Sequence, residues 1–418
     1  MDIMYPRSLT PPKKRRRLRL KHGVIPLLTI AIAVSYSAVA ITRPFAELGP
    51  NRPKSSLTIT TPASNLPWPA YGQGAFGLSN GKVIATHGEQ TPVSIASAAK
   101  VVTALVILER HPLAAGTNGP TITIGDRDVA LYKKYIAIQG SVTPVAVGQR
   151  LTERQMLEAL LLPSANNIAD SLALWSFGSV DAYITYANSY LQKQGLTNTK
   201  IGGDASGYLP DSTSTNSDLV KIGGMAMSND VLAGIVGQKT AIIPGVGTVR
   251  NYNNLLGSNS IVGVKTGNND QNGGVFIGAS TVTVNGKNVT LVSALSGAPT
   301  LSTVLRDSGS LLAAIRTTFA TTTIVKKDAV LGSYQQANGD RLQAIAAKDL
   351  SLTVLRGDTV KATIKLQSIG YSTKVGQTVG YVSIAATDFA PAQSIPIVLK
   401  QAPTKPDILY RLLHPFNT

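Results

Sequence analysis

Twenty consecutive residues without a charged side chain, Gly23 to Thr42, constrain this chain more than any other feature of its sequence. An apolar run of that length can cross a bilayer as a helix. The basic cluster KKRRRLRLK precedes it, and such a cluster holds the N-terminus of a membrane segment in the cytoplasm. We therefore expect residues 1–22 to be a basic cytoplasmic tail and residues 23–42 to be a transmembrane anchor or a signal segment.

The basic cluster has a second interpretation, as a nuclear or nucleic-acid address. The first fifty residues hold nine basic and two acidic side chains, and so carry +7 of the formal net charge of +17. The apolar run directly behind the cluster favours membrane insertion, and we expect no nucleic-acid partner. Ala38-Val39-Ala40 fits a small-residue cleavage site, but the run is longer than a usual signal core, so anchor and cleaved signal both stay open.

The rest of the chain divides by texture. Six prolines among Ser, Thr and Asn predict a stiff spacer over residues 43–69. Mixed helix and strand patterns over residues 70–320 predict an antiparallel sheet flanked by helices. Short β runs, IVKK, LQAIAA, LSLTVL, VKATIKL, GYVSIAA and SIPIVLK, predict a separate small β domain over residues 322–402, before a tail at 403–418. The fold class is therefore expected to be α+β.

Several elements of the middle region are predicted individually. Ser79-Asn80-Gly81 between two apolar runs indicates a hairpin turn, and residues 98–110 read as a buried helix. Thr152 and Gln155 form a capping-box pattern at the start of another helix. The runs SIVGVKTG, GVFIGAS and VTLVSALSG predict strands, and a last helix is expected over 303–319.

Composition limits the chemistry. The chain has no cysteine and four histidines, so a disulfide framework, a Cys nucleophile, an iron–sulfur cluster and a Cys-rich zinc site are excluded. Two of the histidines lie in the tails, which argues against a zinc hydrolase and a Ser-His-Asp site. We expect no metal and no cofactor. A nucleophile would have to be Ser, Thr, Lys or a carboxylate, activated without imidazole.

A lysine can activate a serine. Ser97 and Lys100 stand three residues apart at the start of the predicted helix, so their side chains share one face. Burial among VVTALVIL would disfavour the ammonium form and make Lys100 a base near neutral pH. Free backbone N–H groups at the helix start would face a developing oxyanion. The pattern Ser-x-x-Lys is weak alone, and a second copy, Ser79 to Lys82, sits in the hairpin turn, where neither side chain is held.

Two further motifs support the first copy. Ser164-Ala165-Asn166 falls in a break between two predicted helices, and Lys265-Thr266-Gly267 ends a predicted strand and occurs once. Ser97, Ser164 and Lys265 are separated by gaps of 67 and 101 residues. A second Ser-x-Asn, Ser214-Thr215-Asn216, lies in a polar stretch that we expect to be a loop.

This ordered set of motifs resembles the penicillin-binding proteins and serine β-lactamases. The wording SIASAAKVVTALVILE, LTERQMLEALLLPSANNIADSLA, DASGYLPDSTSTNSDL and GVKTG is similar to the low-molecular-weight D-alanyl-D-alanine carboxypeptidases. The resemblance implies a β-lactamase/transpeptidase-like domain over 70–320. It also implies a serine D,D-carboxypeptidase that cleaves the terminal D-Ala-D-Ala bond of peptidoglycan stem peptides, is inhibited covalently by β-lactams, and works in the cell envelope at the outer face of the cytoplasmic membrane.

The resemblance also implies a role for each catalytic residue. Ser97 attacks the peptide carbonyl and forms an acyl-enzyme. Lys100 takes the serine proton. Ser164 relays a proton to the leaving amine, and Asn166 holds the substrate amide together with Lys100.

The substrate-binding residues follow from the same resemblance. Lys265 lies near the substrate carboxylate and Thr266 hydrogen-bonds it. Gly267 lets the strand approach closely, and the backbone N–H groups of Ser97 and Asn268 form the oxyanion hole.

The sequence departs from the family pattern in three places. Asn268-Asn269 follows Lys-Thr-Gly, where relatives often carry His-Thr. Arg306 is the nearest candidate for the arginine that assists carboxylate binding in relatives. The C-terminal segment DILYRLLHPF is short and interrupted, unlike the amphipathic helix that anchors many relatives.

Three other functions remain as alternatives. A β-lactamase or a D,D-endopeptidase would use the same site, and an inactive wall-binding module would use the β domain. The absence of a glutamate after Ser-x-Asn in a water-activating context argues against the β-lactamase.

Overall fold

The computed structural model describes Met1 and residues 18–51 and 54–414. Helix α1 (Leu18–Thr42) is followed by two short strands, β1 (Pro50–Asn51) and β2 (Ser56–Thr60). The part of α1 from residue 24 to residue 42 is long and apolar enough to cross a membrane, with a mean hydropathy of 2.2 and mostly exposed side chains. The predicted apolar helix is therefore present, whereas most of the predicted basic tail lies outside the described residues.

The middle region alternates helices with strands. Its helices are α2 (Ala99–Arg110), α3 (Asp126–Ala137), α4 (Glu153–Leu161), α5 (Asn166–Phe177), α6 (Val180–Lys193), α7 (Asn216–Ser228), α8 (Asp230–Val236) and α9 (Leu301–Arg316). Its strands are β3 (Gln73–Leu78), β4 (Val83–His87), β5 (Val93–Ser94), β6 (Thr121–Thr123), β7 (Arg150–Thr152), β8 (Thr213–Ser214), β9 (Thr240–Ile243), β10 (Gly247–Arg250), β11 (Ile261–Asn269), β12 (Gly273–Val284) and β13 (Lys287–Ala298).

Sequence signals explain several of these boundaries. Thr152 and Gln155 form the predicted capping box at α4, with both reciprocal hydrogen bonds present. The predicted hairpin joins β3 to β4. The last helix, α9, is shorter than expected, because its strand-forming successor begins at Phe319.

A five-stranded antiparallel sheet, in the order β11-β12-β13-β3-β4, forms the centre of this region. Its side chains alternate between two faces. One face packs in the same core as α2, α5 and α7, and Gly223 of α7 lies so close that a Cβ would stand 2.6 Å from Ile277. The other face, including Phe76 and Phe276, packs against α9. The predicted antiparallel sheet between helices is confirmed, and α2 is held in its buried core.

The C-terminal region is almost entirely β structure. Its strands are β14 (Phe319–Val325), β15 (Val330–Gln335), β16 (Arg341–Ala346), β17 (Leu350–Leu355), β18 (Thr359–Leu366), β19 (Thr378–Ile384) and β20 (Gln393–Leu399), followed by helix α10 (Ile408–Leu413). The short β runs predicted six of these strands. Strand β15 escaped prediction because Gly332 and polar residues interrupt its apolar pattern.

The spacer predicted over residues 43–69 differs in the structure. Strand β1 pairs with β15 and β2 pairs with β18, at opposite edges of a seven-stranded sheet ordered β1-β15-β16-β20-β19-β18-β2. Leu57 and Ile59 of β2 pack on the core of that sheet. Only four residues separate Asn51 from Ser56, and the five steps between them span roughly 18 Å at most, so the two edges lie close and the sheet must curl. The many prolines of this segment predicted a spacer, although residues 56–60 have the alternating pattern of a strand.

The two sheet regions are joined by side chains. Phe389 and Leu355 of the C-terminal region belong to the same apolar cluster as Phe76 of β3. Lys82 in the β3–β4 hairpin pairs with Asp388 at 2.9 Å. The hairpin that carries the second Ser-x-x-Lys copy is therefore a point of attachment between the regions.

Candidate active site

The turn that carries Ser97 connects β5 to α2. Residues Ala96–Ala98 form one turn of 3-10 helix, and α2 follows it directly. Ala96 has a φ of 48°, in the left-handed region that a residue with a side chain adopts only at a cost. Ser97 is half-buried and Lys100 is completely buried. The strained turn thus presents the serine at the surface of the core while its lysine lies inside.

Lys100 is held by three acceptors. Its Nζ lies 2.8 Å from Ser97 Oγ, 2.7 Å from Asn166 Oδ1 and 2.9 Å from the carbonyl oxygen of Ser206. An ammonium group has three protons to donate, and these partners accept all three. The predicted face shared by Ser97 and Lys100 is present, and Asn166 at the start of α5 joins it.

Burial governs the protonation of Lys100. Loss of solvation lowers its pKa from 10.5 to about 7, against the opposing charges of Asp204 and Asp170. Near neutral pH a large fraction of the side chain is therefore a neutral amine. A neutral amine 2.8 Å from a hydroxyl is placed to accept its proton.

A second serine and lysine face the same site. Ser164 lies between α4 and α5 with a φ of 60°, and its Oγ accepts from Lys265 Nζ at 3.0 Å. Lys265 also donates to the carbonyl oxygen of Thr266 at 2.9 Å. Burial, and then the charge of Lys100, lower the pKa of Lys265 well below its ordinary value. The motifs from α2, the α4–α5 break and β11 thus converge, as their order in the sequence suggested.

Strand β11 runs directly beside the nucleophile turn. A Cβ at Gly267 would stand 2.9 Å from the carbonyl oxygen of Ile95, so a side chain there would force the strand away. On either side of Gly267, Thr266 is buried and Asn268 is exposed. All eight predicted site residues therefore lie on the Ser97 turn and the start of α2, on the α4–α5 break and the start of α5, or on β11, and their roles stay predictions.

Comparison with known proteins bears on this arrangement. The sequence pattern of the family described as D-alanyl-D-alanine carboxypeptidase, Peptidase_S11, matches residues 76–299, which contain every motif named above. The chain belongs to this family. It is thereby a serine peptidase, a hydrolase, and the predicted family and enzyme class are confirmed.

Individual relatives agree with the family assignment. A D-alanyl-D-alanine carboxypeptidase of Streptomyces sp. (strain K15) is 30% identical over 50% of this chain and 76% of its own length. The D-alanyl-D-alanine carboxypeptidase DacA of Escherichia coli (strain K12) is 27% identical over 78% of this chain and 81% of its own. The structure of penicillin binding protein 5 from Haemophilus influenzae, at 21% identity, has a TM-score of 0.56 and covers 81% of this chain and 99% of its own. This last likeness confirms the α+β fold class with its all-β C-terminal domain.

This carboxypeptidase-family site has a further part that sequence reasoning did not find. Asp204 is buried and accepts from the backbone N–H of Ser206 at 2.7 Å and from that of Leu209 at 2.7 Å. These bonds fold the loop so that the Ser206 carbonyl faces Lys100 at 2.9 Å. An Asp that caps backbone N–H groups two residues onward is a recognised turn signal, and DASG at residues 204–207 offered it.

A second buried carboxylate supports the same loop. Asp170 of α5 accepts from the Tyr135 hydroxyl at 2.8 Å and from the Ala205 backbone N–H at 3.0 Å. The oxygens of both carboxylates therefore accept hydrogen bonds from groups of the protein. Asp170 was not recognisable as a site residue, because its contacts join elements 35 residues apart.

The remaining candidates lie elsewhere. The Ser214-Thr215-Asn216 stretch was expected to be a loop, and this expectation is wrong, because β8 ends at Ser214 and α7 begins at Asn216. Asn216 is buried and donates to the carbonyl oxygen of Ala294, a structural contact. Arg306 is an exposed residue of α9 that donates to Asp307 at 2.8 Å instead of joining the site. Within the described ranges, no cluster of three or more metal-ligating side chains occurs.

Proposed function

We propose that this protein removes the terminal D-alanine from peptidoglycan stem peptides through an acyl-enzyme on Ser97. One observation carries the proposal: a completely buried Lys100, with its pKa lowered to about 7, lies 2.8 Å from Ser97 Oγ. A serine hydroxyl needs such a base before it can attack a carbonyl carbon. The family to which the chain belongs supports the substrate class.

Acylation begins with a proton transfer. Ser97 Oγ gives its proton to the neutral amine of Lys100 and bonds to the carbonyl carbon between the two D-alanines. The new ammonium group is stabilised by Asn166 Oδ1 and by the Ser206 carbonyl, which already face it. As the C–N bond breaks, Ser164 relays the proton to the leaving amine. Lys100 is then neutral again and takes a proton from the water that attacks the acyl-enzyme. As the bond from the carbonyl carbon to Ser97 Oγ breaks, Lys100 returns this proton to Ser97 Oγ.

The other end of the substrate is held by its charge. Lys265 and Thr266 bind the terminal carboxylate of the stem peptide. Burial, and then the charge of Lys100, lower the pKa of Lys265, and an arriving carboxylate would favour its charged form. The backbone N–H groups of Ser97 and Asn268 stabilise the oxyanion, and Gly267 brings β11 close enough for both to reach it.

The proposal extends to the arrangement of the whole chain. Residues 70–320 act as the catalytic domain, and residues 322–402, completed by β1 and β2, act as a β domain. The protein is held at the outer face of the cytoplasmic membrane by residues 23–42. The length and hydropathy of the apolar part of α1 support this membrane segment.

A reporter-labelled penicillin tests the nucleophile. The unmutated protein should become covalently labelled and should release D-alanine from a pentapeptide, whereas Ser97→Ala should do neither. Ser79→Ala is the matched control, since it removes the serine of the other Ser-x-x-Lys copy, and it should label normally. Absence of label on the unmutated, folded protein would refute the acyl-enzyme.

The same experiment separates the alternatives. A β-lactamase would release the label rapidly, which requires a group that activates water. Asp170 and Asp204 are the buried carboxylates whose charges act on Lys100, and both already accept hydrogen bonds from the protein. Slow release is therefore expected. Cleavage of cross-linked peptides with no D-alanine released would indicate an endopeptidase, and a protein that is folded but never labelled would indicate a wall-binding module.

A further inference from the structure

The turn after β11 is fastened to the segment before Ser97. Asn269 Nδ2 donates to Ser94 Oγ at 2.7 Å, and Asn272 Nδ2 donates to the Ser94 carbonyl oxygen at 2.9 Å. Ser94 is 8% exposed, and both bonds are partly buried. One residue of β5 thus receives two amide groups from a single turn of the neighbouring strand.

Asn269 also shapes the turn that carries Asn272. Its Oδ1 accepts from the backbone N–H of Gln271 at 3.2 Å and from that of Asn272 at 2.9 Å. An Asn side chain that accepts from the backbone two and three residues onward stabilises a tight turn. Both ends of this one amide are therefore in use, and the turn sets where Asn272 can reach.

The clamp, defined as Ser94, Asn269 and Asn272, spans the two halves of the proposed oxyanion hole. Ser94 stands three residues before Ser97, and Asn269 follows Asn268 directly. Strand β11 is an edge strand, hydrogen-bonded to β12 on one side only. Among the strands that the structure describes, none pairs with its free side, so the contacts between β11 and the Ser97 turn must set the distance between them.

We propose that Asn269 and Asn272 are positioning residues that fix the separation of the Ser97 and Asn268 backbone N–H groups. Donors in an oxyanion hole must lie within about 3 Å of the developing charge, and small displacements are costly. The inference rests on the proposed function, since it concerns the same acylation step.

Two isosteric substitutions of equal charge test the clamp. In Asn272→Asp a carboxylate replaces the donor and faces the Ser94 carbonyl, so the bond is lost and two acceptors repel. In Asn269→Asp the carboxylate still accepts from Gln271 and Asn272, and the Ser94 hydroxyl can turn to donate to it. We expect Asn272→Asp to lower the acylation rate by labelled penicillin about tenfold or more, and Asn269→Asp about threefold or less.

Further readouts separate positioning from general damage. Asn272→Ala, which adds no charge, should lose about fivefold, the effect of one hydrogen bond. With a peptide substrate the loss should fall on kcat with KM little changed, because the hole engages charge that develops in the transition state. In Asn272→Ala, which adds no charge, the midpoint of the pH profile should stay in place, since Lys100 is not touched. Thermal unfolding of each variant establishes that it is folded.

The outcomes are distinct from those of the nucleophile test. Equal losses in Asn272→Asp and Asn269→Asp, or a folded Asn272→Asp that labels as fast as the unmutated protein, would overturn the clamp and leave the acyl-enzyme standing. A shifted pH midpoint in the uncharged Asn272→Ala variant would also overturn it, because the residue would then act through Lys100. An unmutated protein that never labels would overturn both proposals together.

Discussion

The pattern Ser-x-x-Lys occurs twice in this chain, and the two copies differ in where the lysine lies. Lys100 is completely buried in α2, has three hydrogen-bond acceptors, and has its pKa lowered to about 7. Lys82 lies on the β3–β4 hairpin with 55% of its side chain exposed and pairs with Asp388. Both copies have the same spacing, but only Lys100 is buried, and in our proposal this burial makes it the base.

We expect the largest effect on the acylation rate when Lys100 is made permanently charged. Lys100→Arg keeps a cation next to Ser97, but a guanidinium group cannot lose its proton in a protein. We expect the acylation rate at pH 7 to fall by about 10³-fold, the range of a lost general base. Lys82→Arg is the control and should label at the unmutated rate. A Lys100→Arg protein that retains most of its rate would show that the base is another group.

The loop that faces Lys100 sharpens the comparison. Asp204→Asn removes acceptor capacity from the loop that presents the Ser206 carbonyl, and it removes a negative charge that raises the pKa of Lys100. We expect an acylation rate about tenfold lower and an acidic limb shifted to lower pH. An unchanged limb in the pH–rate profile would contradict the assigned charge effect.

Glu153 is a buried ionisable residue outside the site. Glu153, at the start of α4, has neither carboxylate oxygen hydrogen-bonded, and burial raises its pKa from 4.5 to about 7. The folded state therefore holds this proton more tightly than the unfolded state. Below about pH 4.5 the carboxyl group is protonated in both states, and its burial does not reduce the free energy of unfolding. As the pH rises from 4.5 toward 7 the unfolded state loses this proton first, so the free energy of unfolding falls.

Glu153→Gln should remove that penalty. We expect the variant to be about 1 to 2 kcal/mol more stable than the unmutated protein at pH 8 and equally stable at pH 4, measured by denaturant unfolding. The acylation rate should not change, because Glu153 contacts no residue of the site. Equal stability at pH 8 would mean that solvent or a donor reaches this carboxylate.

The smallest effect belongs to the exposed copy. Lys82→Met breaks the ion pair with Asp388, which lies at the surface between the two sheet regions. We expect a loss below about 1 kcal/mol in unfolding free energy and no change in labelling. A large loss of labelling would mean that this contact positions the catalytic region.

The sequence was sufficient where a local pattern decides the structure. The hairpin, the capping box and the buried helix α2 follow from residues a few positions apart, and they place Ser97 and Lys100 correctly. The convergence of Ser164 and Lys265 required the family resemblance, since their contact joins residues 101 positions apart.

Other features lay beyond a local reading because distant contacts create them. Strand β2 forms only against β18, about three hundred residues later, and the prolines around it pointed to a spacer. The Ser206 carbonyl faces Lys100 through the folded loop that Asp204 holds. The clamp on Ser94 depends on β11 reaching the nucleophile turn, 175 residues away in the chain.

The pH dependence of acylation tests the central claim most directly. If burial makes Lys100 the base, the second-order rate of labelling by penicillin should rise with pH through a midpoint near 7 and then level off, as the neutral amine becomes the main form. The measurement needs only the folded protein, a labelled penicillin and buffers from pH 5 to about 10, where the upper limit approaches the ordinary pKa of a lysine. A rate that is flat across pH 7, or that rises only near pH 10, would contradict the account.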